Sequence, residues 1–131
     1  MKINKFEDLE IWKLSMKITK EIYAIVSHGN FSKDFGLRDQ IRRASVSISS
    51  NIVEGFEKNN NNEFIRFLKM AKGSSGEVRN QLLISFTVGY INEEIFKNLS
   101  DDLEKLSAQI GGFINYLERK RRGGEFIQKF R

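Results

Sequence analysis

The sequence contains no cysteine and no proline among its 131 residues, and its single histidine is His28. Without cysteine, the chain can form no disulfide and offers no thiolate nucleophile or thiolate metal ligand. Without proline, long helices can run uninterrupted. A lone histidine beside a helix stop signal favours a surface or capping role over that of a metal ligand or general base. The lack of cysteine also fits a reducing cytoplasm.

Long hydrophobic runs and catalytic motifs are missing as well. No apolar stretch approaches the roughly 20 residues that cross a bilayer, so we expect no membrane partner. No nucleophile elbow, Walker sequence or dinucleotide fingerprint occurs in a strand–turn–helix context, and the Glu-x-x-His pairs of di-iron bundles are absent. The sequence therefore predicts no enzymatic activity, no cofactor and no metal site.

What the chain does contain is an apolar spacing of three and four residues, which is typical of amphipathic helices. This spacing predicts four helices, at about 6–28, 34–58, 63–89 and 93–122. Short links between long helices favour antiparallel neighbours, so the predicted fold is all-α, an antiparallel up-down-up-down four-helix bundle. We expect one domain over residues 1–122, followed by a basic C-terminal tail at 123–131.

The third predicted helix contains a run of four small residues, 73–76 (GSSG), which by local propensity favours a loop. The apolar phase set by Phe64 and Phe67 nevertheless continues through Val78 and Leu82, and a loop does not preserve such a phase. We therefore predict an unbroken helix, in which the small residues let a neighbouring backbone approach closely. A phosphate-binding loop is a weaker interpretation, because no strand precedes the run and no Gly-Lys-Ser/Thr follows it.

The first predicted helix has two apolar stripes, although a helix on the rim of a small bundle needs only one. The mixed stripe comprises Leu9, Trp12, Met16, Thr19, Tyr23 and Val26, and the isoleucine stripe, roughly opposite, comprises Ile11, Leu14, Ile18, Ile22 and Ile25. We interpret the isoleucine stripe as a subunit interface; the alternative is a helix that its own chain buries on both sides. Val46 and Val53 give the second helix a smaller additional apolar patch, which also indicates extra contacts.

A row of polar side chains borders the apolar face of the second predicted helix and continues on the third. Its members are Gln40, Arg43, Ser47, Asn51 and Glu54 on the second helix, and Ser74 and Glu77 on the third. Polar groups beside a core are costly unless they are hydrogen-bonded, and Arg43 has no nearby acidic partner on its own stripe. We predict an ion pair between Arg43 and Glu77, with Asn51 and Ser74 completing a structural network that fixes the helix register.

Charge is distributed unevenly along the chain. Residues 119–131 carry six basic side chains and one acid, whereas residues 1–118 hold equal numbers of acids and bases. Such a cluster attracts phosphates or acidic surfaces, and a solvated, frayed terminus is the alternative. The candidate nucleic-acid-binding residues are Arg38, Arg42, Lys69, Lys72, Arg79, Arg119, Lys120, Arg121 and Arg122. We expect phosphate contacts without sequence-specific reading, because nearly all aromatic residues fall on core stripes.

Five segments of the sequence form a recognisable set: residues 37–55 (LRDQIRRASVSISSNIVEG), 64–68 (FIRFL), 71–77 (AKGSSGE), 89–91 (GYI) and 6–12 (FEDLEIW). Together they resemble the four-helix bundle proteins encoded in intervening sequences of bacterial 23S ribosomal RNA genes. The resemblance implies an antiparallel four-helix bundle that assembles into a ring-shaped homopentamer, in a group without established enzymatic activity. The chain departs from the family pattern at Gly76, where family members often have a larger residue, and in the tail at 123–131.

The resemblance and the charge pattern lead to two hypotheses. The first is a non-enzymatic homo-oligomer, a pentamer by resemblance, that binds nucleic acid, RNA in preference to DNA. The alternative is a protein-interaction scaffold or accessory subunit, favoured by the two-sided first helix and the acidic fourth helix. The family is related to the accessory variability protein of diversity-generating retroelements, which partners a reverse transcriptase and binds nucleic acid, so a reverse transcriptase is one such protein partner. An enzyme of unfamiliar kind is kept only as a residual.

Overall fold

The computed structural model describes residues 2–122 and 128–129, and the side chains of residues 3–120. Within this part of the chain there are four long helices, as predicted. They are α1 (Glu10–Ile25), α2 (Phe35–Glu57), α3 (Asn61–Thr87) and α4 (Glu93–Arg122), and two short strands, β1 (Lys2–Ile3) and β2 (Gln128–Lys129), pair in parallel. Short 3₁₀ helices at Phe6–Asp8 and Gly29–Lys33 precede α1 and α2. Apart from β2, the predicted tail at 123–131 lies outside the described residues.

Two helices begin at positions that differ from the predicted ones. α1 begins at Glu10 and not at residue 6, because Leu9 is extended, with φ −75° and ψ 125°. Asn60 accepts a hydrogen bond from the backbone N–H of Glu63 at 3.0 Å, and this cap starts α3 at Asn61, before the predicted start at residue 63. Asn59, with φ 55°, adopts the left-handed conformation in the turn that precedes the cap.

Neighbouring helices run antiparallel, and contacts near both ends of the α2–α3 pair show this directly. At one end, which we call the upper end, the Tyr90 hydroxyl after α3 donates to the Asp34 carboxylate before α2 at 2.9 Å. At the opposite, lower end, Gly55 of α2 lies against Phe64 of α3, and Phe64 in turn contacts Phe113 of α4, with ring centroids 5.3 Å apart.

α1 closes the bundle by lying between α2 and α4. The Thr19 hydroxyl of α1 lies 3.3 Å from the Ser45 carbonyl oxygen of α2, and Lys17 pairs with Asp102 of α4 at 3.0 Å. Each helix therefore packs on two others, in the order α1, α2, α3, α4 around a square. The α1–α2 side and the α3–α4 side are consequently opposite faces of the bundle.

The predicted continuity of the third helix through its small residues is confirmed, because α3 runs unbroken from Asn61 to Thr87. The close approach expected there lies elsewhere. A Cβ added at Gly73 or Gly76 would meet nothing within 4 Å, whereas one at Gly55 would lie 2.6 Å from the Cβ of Phe67. The glycine that lets two backbones approach closely is thus Gly55 of α2.

Candidate nucleic-acid and assembly surfaces

Basic side chains from α3 and α4 come together near the lower end. Because α3 and α4 are antiparallel, Lys69 and Lys72 near the start of α3 lie beside the last turns of α4. Lys69 Nζ is 4.0 Å from a carboxylate oxygen of Glu118, and the side chain of Lys72 reaches over Gly111. Arg119 is exposed on the last turns of α4. The antiparallel fold therefore places separate parts of the sequence in one cationic region.

This region, which we call the basic end, comprises Lys69, Lys72, Arg119, Lys120, Arg121 and Arg122. The backbones of Arg121 and Arg122 belong to α4, but their side chains lie outside the described residues. Lys120 Nζ lies 5.6 Å from the centroid of the Tyr116 ring, a cation–π distance.

The remaining basic candidates lie apart from the basic end. Arg79 is seven residues beyond Lys72, about 10 Å along α3, and pairs with Glu104 at 3.3 Å. Its charge is consequently partly offset by a neighbouring carboxylate.

Arg38 and Arg42 are located at the upper end, on the first turns of α2. Arg38 donates to the Ser32 carbonyl oxygen at 3.0 Å and lies 4.7 Å from the centroid of the exposed Phe35 ring. The Arg42 guanidinium lies 5.2 Å from the centroid of the Tyr23 ring of α1. The predicted set of basic residues thus divides into groups at opposite ends of the bundle.

Charge changes sign along α4. Its first half carries five acids, Glu93, Glu94, Asp101, Asp102 and Glu104, against two lysines, whereas residues 119–122 are all basic. Acids at the start of a helix and bases at its end both interact favourably with the helix dipole. Four consecutive bases also create a local positive field that a phosphate backbone would meet.

The predicted polar network is confirmed in part. The Asn51 amide donates to the Ser47 carbonyl oxygen at 2.9 Å, and the Ser74 hydroxyl of α3 donates to the Ser47 hydroxyl of α2 at 3.1 Å. The predicted ion pair between Arg43 and Glu77 is wrong: both side chains are exposed, and no such pair occurs among the described side chains. The short serine side chains fill the seam between α2 and α3, which leaves the longer charged ones at its edge. Gln40 and Glu54 of the predicted row are exposed as well.

The predicted subunit interface is also wrong, because the bundle itself buries the isoleucine stripe. Ile11 is 3% exposed and Ile18 and Ile22 are 0% exposed, while Leu14 and Ile25 are partly buried against the same core. These aliphatic side chains carry no polar atom and lose nothing to desolvation, so they face inward.

Only the middle of the mixed stripe remains at the surface, because Leu9 and Val26 near its ends are buried in the core. Met16 is 43% exposed and Tyr23 is 42% exposed, and across the groove Val46 of α2 is 41% exposed. We call Met16, Tyr23 and Val46 the outer side of the α1–α2 pair. The predicted extra apolar patch at Val46 thus adjoins the stripe that was assigned to the core.

Comparison with protein families gives one match over most of the chain. Residues 7–112 match the model of the 23S rRNA-intervening sequence protein family. The chain belongs to this family. The predicted resemblance is thereby confirmed, and residues 119–122 of the basic end fall beyond the matched part.

A solved structure of a related kind supports the fold of this family member. The chain is similar to a protein of unknown function from the S23 ribosomal protein family of Bacteroides thetaiotaomicron VPI-5482, with 23% sequence identity and a TM-score of 0.72. The match covers 79% of this chain and 97% of that one, and at this identity it shows the fold alone. A comparison with curated proteins found no match.

Sequence reasoning missed a second surface groove, between α3 and α4 at the upper end. Leu83 is 49% exposed there, and the rings of Phe86 and Phe96 stack with centroids 4.6 Å apart. The missed signal is Leu83, which lies outside the apolar phase of α3 that runs through Val78 and Leu82. Of the helices within residues 2–122, none is long and apolar enough to span a membrane, and the described residues contain no cluster of three or more potential metal ligands.

Proposed function

We propose that this member of the family is a non-enzymatic cytoplasmic homopentamer that binds nucleic acid, preferentially RNA, through its basic end. The observation that carries the proposal is that Lys69 and Lys72 of α3 lie beside the last turns of α4, where residues 119–122 of the sequence are all basic. Phosphates are the natural partners of such a cluster, since each neutralised phosphate releases condensed counterions. Lysine and arginine contacts to a backbone fix position without reading sequence, so affinity for many RNAs is expected.

Binding of a generic structured RNA, measured by filter retention at two salt concentrations, tests the proposal. The variant Lys69→Ala with Lys72→Ala removes two charges from the basic end, and we expect the slope of log affinity against log salt to fall by about 1 per lysine. The control, Lys33→Ala with Lys105→Ala, removes the same net charge from exposed positions elsewhere and should leave the slope unchanged. Absence of binding at low salt, or an equal loss in the control, would overturn the proposal.

Truncation after Glu118 tests the contribution of the helix end separately. This variant removes six basic side chains and keeps the whole of the segment that matches the family. We expect a larger loss of RNA affinity than for the double lysine variant. Residues 1–118 should keep the helicity that they have in the full chain. If the truncated chain binds RNA with full affinity, residues 119–131 do not contact the RNA.

A second candidate function, a scaffold for another protein such as a reverse transcriptase, is favoured by the outer side of the α1–α2 pair. Exposed apolar side chains on neighbouring helices, of which Tyr23 and Val46 line one groove, are suited to a protein contact. Purification from the native host after nuclease treatment distinguishes the two functions. A stoichiometric protein partner that survives nuclease supports the scaffold, whereas loss of all partners supports nucleic-acid binding.

A further inference from the structure

Two apolar surface grooves lie on opposite faces of the bundle and at the same height. The first is the groove between α1 and α2, lined by Tyr23 and Val46. The second is the groove between α3 and α4, a cavity of about 590 Å³ lined by Leu83, Phe86 and Phe96. Both grooves lie in the upper half of the bundle. The α1–α2 groove lies near the end of α1 and the start of α2, and the α3–α4 groove lies near the end of α3 and the start of α4. Neither groove includes a residue of the basic end.

The groove between α1 and α2 has a cationic rim. Arg42 and Arg43 line it together with a single acid, Asp39, which pairs with Arg38 at 3.3 Å. The Arg42 guanidinium lies over the ring of Tyr23, and its buried Nε has no hydrogen-bond partner among the described residues. A buried donor without a partner is costly, so a shift of this side chain that brings it to an acceptor on another chain would be favourable.

The groove between α3 and α4 has an anionic rim. Glu93, Asp101 and Glu104 line it, against Lys97 and Arg79. Arg79 pairs with Glu104 at 3.3 Å, whereas neither Glu93 nor Asp101 takes part in an ion pair among the described side chains. The two grooves thus combine apolar floors with rims of opposite net charge.

We infer that the α1–α2 groove of one copy docks into the α3–α4 groove of the next, head to tail. This inference rests on the assembly part of the proposed function and specifies its interface. In such a contact, Tyr23 and Val46 cover Leu83 and the stacked phenylalanine rings, and the two arginines meet the carboxylates of Glu93 and Asp101. Arginine–carboxylate contacts of this kind are charge-assisted and directional.

The equal height of the grooves meets one condition for closure of the assembly. A contact between two different surfaces is heterologous, and it generates a ring when each step rotates about one axis without a shift along it. Grooves at equal height require no such shift, and a ring forms when each contact also turns one copy relative to the next. The same geometry leaves the basic end of every copy on the same side of the ring, where several copies can contact one nucleic acid.

Charge-reversal variants analysed by light scattering test the pairing of the two grooves. Variant one carries Arg42→Glu and Arg43→Glu, and variant two carries Glu93→Lys and Asp101→Lys. At a concentration where the wild-type chain is oligomeric, we expect each variant alone to fall to the 15.2 kDa monomer, because like charges then face one another. An equimolar mixture should regain the wild-type mass, since every contact between unlike variants restores opposite charges. Far-ultraviolet circular dichroism confirms that both variants remain helical.

A matched control reverses two exposed acids outside both grooves, Glu57→Lys with Glu94→Lys, and should remain oligomeric. If variant one dissociates and variant two stays oligomeric, the contact joins two α1–α2 grooves, and the proposed pairing is overturned. Wild-type mass in both variants, or a mixture that stays monomeric, would also overturn it. A monomeric wild-type chain would instead contradict the assembly part of the proposed function, and RNA binding by the monomeric variants shows whether its nucleic-acid part holds independently.

Discussion

The inner and outer sides of the α1–α2 pair are both apolar, yet the bundle buries only one of them. Ile18 and Ile48 on the inner side are 0% exposed. Met16, Tyr23 and Val46 on the outer side are 41–43% exposed. The inner side chains are purely aliphatic, whereas the outer side includes a phenol and a thioether, which stay at a surface at little cost. The difference separates the residues that fold the chain from those free to contact a partner.

The largest effect is expected on the inner side. Ile18→Ala removes a fully buried side chain and should lower the free energy of unfolding by about 2–5 kcal/mol, because it leaves a cavity in the core. Met16→Ala, two residues away on the outer side, is the control, and we expect a change within about 0.5 kcal/mol. Urea unfolding followed by circular dichroism measures both. Equal destabilisation by the two variants would break the distinction between the sides.

The next effect is expected where α2 approaches α3. Gly55→Ala places a Cβ 2.6 Å from the Cβ of Phe67 and should cost about 1–3 kcal/mol of stability, because one helix must move. Gly73→Ala is the matched control within α3. Its Cβ meets nothing within 4 Å, and it should stabilise the chain by about 0.4–1 kcal/mol through helix propensity and chain entropy. A stabilising Gly55→Ala would contradict the close packing of this seam.

Much of the fold could be predicted from apolar periodicity, because that pattern records which faces of a helix avoid water. It predicted four antiparallel helices and an α3 that continues without a break through its small residues. It could not decide which stripe of α1 faces inward, since both have the same spacing. The choice depends on side-chain chemistry, because Ile18 and Ile22 carry no polar atom and join the aliphatic core.

The candidate nucleic-acid-binding site was harder to predict from the sequence than the fold. Lys69 and Lys72 could be named as basic, but their approach to residues 119–122 depends on the antiparallel pairing of α3 with α4. The predicted Arg43–Glu77 pair is wrong because both side chains are exposed at the edge of the seam, while Ser47 and Ser74 meet within it at 3.1 Å. Charge matching alone does not show whether two side chains are close enough to pair.

A smaller effect is expected from the polar link at the upper end. The hydrogen bond to Asp34 raises the pKa of Tyr90 above its ordinary value of 10.0. A raised pKa means that this contribution to stability is complete below the ordinary value and is lost as the pH rises through the folded-state value. Tyr90→Phe should therefore lower the melting temperature at neutral pH, by less than Gly55→Ala, and weaken the decline above about pH 10. An unchanged alkaline decline would assign it to other groups.

The smallest effect on folding, with a large effect on assembly, is expected from the outer side. Met16→Gln with Val46→Gln keeps good helix formers and should change the free energy of unfolding by less than about 1 kcal/mol in total. Met70→Gln with Val88→Gln alters two other exposed apolar side chains, which are 46% and 55% exposed, and serves as the control. Both variants should fold like the wild-type chain.

Sedimentation equilibrium of these two variants beside the wild-type chain tests most directly the claim that the inner side folds the chain and the outer side assembles it. At a concentration where the wild-type chain is oligomeric, Met16→Gln with Val46→Gln should sediment as a helical 15.2 kDa monomer, while the control retains the wild-type mass. A folded outer-side variant with the full wild-type mass would contradict the account.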